Sequence, residues 1–96
     1  MAVLAVEKFE ATLAVVNGVD VGLSASLVTR DRKKAMVYSE RIEAGVVKLD
    51  QISTGLALQA PFGGVKKSST DSFKEQGGGA IDFYTRVKPV YLDYSA

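Results

Sequence analysis

Two glycine clusters are the places in this sequence where residue type and spacing could support chemistry. Gly63 and Gly64 stand behind Pro61 and Phe62 and ahead of Lys66 and Lys67. Amides bared by glycine, with two ammonium groups beside them, could cradle a phosphate. That chemistry needs a strand before the loop and a helix N-terminus after it, and the Walker spacing is missing. A tight bend or close backbone approach uses the same glycines. Gly77, Gly78 and Gly79 do open a helical pattern, but a polar turn precedes them, so the dinucleotide fingerprint fails. Glycine there also lets two segments pack closely.

Carboxylates are the other candidates. Glu7 with Glu10, and Glu40 with Glu43, fall at i, i+3 on exposed helix faces. General acid–base work needs a pKa shifted by burial, and a solvated face explains these pairs better. Asp50 closes an apolar strand beside a long loop, where a carboxylate more often caps a turn than performs catalysis. Lys48 shares a pleat face with Asp50 and pairs with it only weakly. Phe62, Leu56 and Leu58 either line an apolar pocket or plug the edge of a core. The chain has no cysteine and no histidine. It therefore carries no thiolate nucleophile, no disulfide and no imidazole base or ligand.

The elements that must position these residues follow from hydrophobic period. Residues 2–6 read as a buried strand. Phe9, Leu13 and Val16 lie on one face of a helix ending near Asn17, with Gly18 as a left-handed terminator. Leu23, Ala25 and Leu27 alternate with Ser24 and Ser26 in a second strand. Asp31 caps a helix over about 32–44, whose inward stripe is Ala35, Tyr38 or Ser39, and Ile42; Gly45 stops it. A third strand runs through "GVVKLDQ". Strands separated by helices of this length run parallel. The expectation is an α/β fold with a partial parallel sheet, strand-helix-strand-helix-strand. A long loop over 51–71 follows, then a short helix over about 79–87 with Ile81, Tyr84 and Val87 or Lys88 inward. Ser72 and Glu75 have capping-box spacing. "VYLDY" ends the chain as an edge strand started by Pro89.

With 96 residues, 47% hydrophobic content and a net charge of +1, the chain fits one globular domain with no pull toward nucleic acid or anionic membrane. No apolar run reaches a membrane span, and no leader pattern opens the chain, so the expected location is cytoplasmic. From pattern alone this is a soluble α/β domain.

The run "APFGGVKKSSTDSFKEQGGGAIDFYTRVKPVYLDY" goes further, because it resembles the C-terminal end of an aldehyde dehydrogenase. Pro61-Phe62-Gly63-Gly64-Val65-Lys66-Lys67-Ser68, Tyr84-Thr85 and Lys88-Pro89-Val90 match that family's loop, helix end and final strand. Asn17, Gly22 and Leu23 match its asparagine and glycine-leucine segment, and "AGVVKLD" its strand ending in asparagine, here Asp50. The segment after Ser72 looks most like the branch oxidising 2-oxoglutarate semialdehyde (2,5-dioxopentanoate).

The resemblance implies a single partial domain over 1–96, part of the catalytic and oligomerisation region, with an oligomerisation strand about 89–95. Loop 51–62 would shape the aldehyde entrance, with Phe62, Leu56 and Leu58 as substrate-loop residues and Gly63-Gly64 as its bend. The family's nucleophilic cysteine, its glutamate and its NAD(P)-binding domain would lie outside these residues. The chain alone is then expected to hold no cofactor, metal or catalytic residue and to be inactive by itself. Its partners would be further copies of itself or the remainder of the enzyme. A stand-alone module that adds a strand to a partner's sheet is the other reading, and glycine loops binding a nucleotide directly a third. Pro89 removes an amide from the terminal strand, which counts against full pairing there.

Overall fold

The computed structural model describes residues 1–70 and 74–95. Helix α1, Phe9–Asn17, forms where Phe9 and Leu13 share a face, and Leu13 is only 2% exposed. Asn17 is its last residue, and Gly18 closes it by donating its amide to the Val15 carbonyl at 3.3 Å. Gly18 has a φ of −73°, so the left-handed terminator expected there is not used. Helix α2, Arg32–Arg41, starts as expected: the Asp31 Oδ1 accepts from the Lys34 amide at 3.1 Å. It ends at Arg41, well before Gly45, with the Ile42 amide bonded to the Tyr38 carbonyl.

Strands β1 (Val21–Gly22) and β2 (Ser24–Leu27) lie between the helices, and β3 (Val46–Leu49) follows α2. β2 and β3 pair in parallel, Ser24 opposite Val46 through Leu27 opposite Leu49, with α2 as the crossover. The core is Leu13, Tyr38 and Ile42, bordered by Phe9, Val37, Ala25, Leu27, Val47 and Leu49. Ala25 and Leu27 of β2, and Val47 and Leu49 of β3, are the alternate residues of each strand, as period two requires. Two residues of β4, Val65–Lys66, pair antiparallel with β1 in a second small sheet that periodicity did not foretell. Helix α3, Gly77–Tyr84, completes a mixed α/β fold with small sheets.

Three expectations are corrected. Residues 2–6 are exposed and form no strand, and residues 90–94 likewise. Both segments are largely apolar, but a strand without a ladder partner is not stable, and no described residue of this chain supplies one. Ile81, Tyr84 and Val87 do not face inward; they are 66%, 83% and 93% exposed. Ser72, the capping residue of the expected Ser72–Glu75 box, lies outside the described residues.

The shape is elongated, 73 × 27 × 23 Å, with a Cα radius of gyration of 18.8 Å. A compact chain of this length measures about 13 Å. The accessible surface is 8101 Å², whereas a self-contained monomer of this mass exposes about 5,300 Å².

Tyr38 gives the core a pH signature. Its hydroxyl donates to the Ser26 carbonyl at 3.3 Å, and burial raises its pKa above the ordinary tyrosine value. The unfolded chain then ionises first. Stability from this group is complete below the unfolded value of about 10 and is lost as pH rises through the higher folded value. The urea midpoint of the natural chain should fall more steeply above about pH 10 than that of Tyr38→Phe. Parallel declines in circular dichroism melts would contradict the assignment.

Candidate functional site

The loop from Asp50 to Phe62 is built outward from β3. Asp50 takes a left-handed backbone, φ 55°, which aspartate tolerates better than most residues. Its amide extends the ladder to the Leu27 carbonyl at 2.8 Å, and its Oδ1 accepts from the Thr29 amide at 2.8 Å. A turn cap is therefore its role here. An asparagine would offer the same acceptor oxygen and meet the same local requirement.

Lys48 does not pair with Asp50. Its ammonium donates to the Thr54 carbonyl at 2.7 Å and also to the Gly55 carbonyl, pinning the loop over β3. An open cleft of about 710 Å³ lies between them, walled by Val46, Leu49, Leu56, Pro61 and Phe62. Leu56 and Phe62 thus meet at one cleft. Leu58 is 76% exposed and does not line it. Its carbonyl instead accepts from the Gly77 amide at 3.2 Å, docking the start of α3 on the loop. Gly77 has a φ of 52°, and a Cβ there would lie 2.2 Å from the Gln59 carbonyl oxygen. Close packing accounts for Gly77 and for Gly79, where a Cβ would lie 2.6 Å from the Lys74 carbonyl oxygen, but not for Gly78, which has open space beside it.

Phe62 is held by a two-way bridge to Glu75, with amide-to-carbonyl distances of 2.6 and 2.7 Å. Directly after it the chain touches the first half: a Cβ on Gly45 would sit 1.7 Å from the Gly63 carbonyl oxygen. Gly45 serves this contact and not a helix end. Gly64 also packs closely on Ser68, whose hydroxyl accepts from the Gly22 amide at 3.0 Å.

The lysines that follow are spoken for. The Lys66 ammonium donates to the carbonyls of Asn17 at 2.7 Å and Val19 at 3.0 Å and pairs with the Glu43 carboxylate. Lys67 pairs with Asp20 at 2.5 Å. A phosphate at this loop would have to displace these partners. The acidic pairs likewise divide between separate tasks. Glu43 goes to Lys66, while Glu10 bonds the Arg41 guanidinium at 2.9 Å, a hydrogen bond that raises the arginine's pKa.

Sequence reasoning missed Asn17 as a hub. Its Nδ2 donates to the Arg41 carbonyl at 2.8 Å and its Oδ1 accepts from the Glu43 amide at 2.9 Å. An asparagine at a helix end was the available signal. Among the described residues no group of three or more acidic side chains gathers to hold a metal. The cleft offers shape and apolar surface, with one ammonium already engaged.

Residues 1–90 match the aldehyde dehydrogenase family. The chain belongs to that family. It is 50% identical over 94 residues to an alpha-ketoglutarate semialdehyde dehydrogenase of Haloferax volcanii, covering 98% of this chain and 20% of the relative. A 2,5-dioxopentanoate dehydrogenase of Saccharolobus solfataricus is 40% identical, covering 95% of this chain and 19% of that protein. Among solved structures, an NAD-dependent aldehyde dehydrogenase from Sinorhizobium meliloti superposes with a TM-score of 0.84 at 28% identity, covering 97% of this chain and 18% of that one. The chain spans about one fifth of the length of the curated relatives it matches.

Two substitutions separate the loop anchor from a surface pair. Lys66→Met should lower unfolding stability by about 1–3 kcal/mol, because it strands partly buried acceptors. Lys67→Met should cost no more than about 1 kcal/mol, since an exposed ion pair contributes little. Equal urea midpoints for the two variants would remove the anchoring role of Lys66.

Proposed function

We propose that these 96 residues form the C-terminal part of the catalytic region of an NAD(P)-dependent aldehyde dehydrogenase. Loop 51–62 contributes a wall of the aldehyde entrance, with Leu56 and Phe62 toward the substrate and Gly63-Gly64 as the bend. Residues 89–95 contribute a strand to an oligomer. The names of the similar proteins favour 2-oxoglutarate semialdehyde as the substrate.

The observation that carries this reading is surface. The chain exposes 8101 Å², roughly 2,800 Å² more than a self-contained protein of its mass. That excess is the size of an obligate interface, about 2,000–5,000 Å². Much of it is apolar: Val3, Leu4 and Val6 at one end, and Val90, Tyr91, Leu92 and Tyr94 at the other. Such segments call for cover by another part of the enzyme or by a second copy.

The lysines and the helix-opening amide at the two glycine loops argue against NAD(P) binding there. Dinucleotide phosphates need free amides and cations, whereas Lys66, Lys67 and the Gly77 amide are committed within the chain. The cofactor and the cysteine nucleophile are assigned to the rest of the enzyme, and the chain to shaping and assembly. The unpaired tail over 85–95 also favours a second reading, a module that adds this tail to an unrelated partner's sheet.

Mixing tests the proposal. An aldehyde dehydrogenase body ending before this segment, supplied with the chain, should regain aldehyde-dependent reduction of NAD(P)⁺, while the chain alone stays silent. In ultracentrifugation the chain alone should self-associate. Activity of the purified chain alone, or a strict monomer that never binds the body, would defeat the reading. Capture of an unrelated protein through residues 85–95 would favour the module.

A further inference from the structure

We propose that Asn17–Gly18 is a deamidation site that the native fold holds closed. An asparagine followed by glycine is chemically labile because no side chain hinders the following amide. The deprotonated Gly18 nitrogen attacks the Asn17 side-chain carbonyl carbon and forms a new C–N bond. The bond to the side-chain nitrogen breaks, and ammonia leaves with the proton. Water then opens the resulting succinimide at either carbonyl, giving aspartate or isoaspartate. Solvent water is the only co-reactant, and no electrons are exchanged.

The fold blocks this at both reacting groups. The Gly18 amide is engaged by the Val15 carbonyl at 3.3 Å. The Asn17 carboxamide is clamped to the end of α2 at both heteroatoms, Nδ2 to the Arg41 carbonyl and Oδ1 to the Glu43 amide, 2.8 and 2.9 Å. Attack therefore requires α1 and α2 to part at this corner, a local opening. Once the reaction has occurred, the full clamp cannot reform. An aspartate has no proton to donate to the Arg41 carbonyl. An isoaspartate also reroutes the main chain at the residue whose carbonyl accepts from Lys66 at 2.7 Å. The corner thus acts as a record of time spent open: chains that lose their contacts become permanently unable to restore them.

Peptide mapping by mass spectrometry of the whole chain tests this in mildly alkaline buffer, with and without denaturing urea. Conversion at Asn17 should be about tenfold or more slower without urea, as protection by a closed local structure gives. Equal rates, whether the clamp opens freely or the chain does not hold it, overturn the proposal. Gly18→Ala is a usable control, because φ at this position is −73° and the added carbon meets the Ala14 and Val15 carbonyl oxygens at 3.1 and 3.4 Å, which asks for a shift of a few tenths of an ångström. It should slow conversion in urea and preserve the yield of chain that refolds after long incubation. If the natural chain and Gly18→Ala lose refolding yield alike, the recording role is wrong.

Discussion

Lys66 holds a left-handed backbone, φ 52°, which costs a residue bearing a Cβ about 1–2 kcal/mol. Its ammonium is what keeps it there. Three acceptors converge on it: two carbonyls at the end of α1 and the Glu43 carboxylate beyond α2. The first half has its own small core, but the Phe62–Ser68 segment has no buried apolar residue of its own and depends on polar attachment. Lys66, the Gly45–Gly63 contact, the Ser68 hydroxyl on Gly22, and Lys74 on the Gly45 carbonyl at 2.8 Å all fasten it to one region. The cleft at Phe62 inherits its position from these attachments.

Residues whose neighbours lie close in sequence were legible. The spacing of Phe9 and Leu13, the Asp31 cap, the alternation in β2 and the Tyr38–Ile42 stripe each state a local preference that the fold honours. The turn role of Asp50 was legible for the same reason. What the pattern could not reveal was tertiary. Nothing local tells Lys66 to reach Asn17, or Gly45 to sit against Gly63. The segments 2–6 and 90–94 carry strand-like composition without a ladder, because composition records what a segment is suited to and not whether a partner is present. Leu56 and Leu58 show the limit at a finer scale. They differ by two positions, yet one reaches the cleft and the other turns away.

Elongation and apolar exposure give the family assignment a physical counterpart. A chain matching about one fifth of its relatives' length has, among its described residues, a nucleus of three buried apolar side chains and two ends that no described residue covers. Those ends are chemically suited to an interior.

The two kinds of attachment also differ in the order in which they can form. Tyr38 reaches Ser26 across 12 positions, whereas Lys66 reaches Asn17 across 49. Two doublings of loop length add about 1.2 kcal/mol of closure entropy. The parallel pair and its crossover helix can therefore assemble as an early nucleus, and the lysine clasp shuts on a surface already made. During synthesis from the N-terminus, the ribosome would release that nucleus well before the clasp emerges.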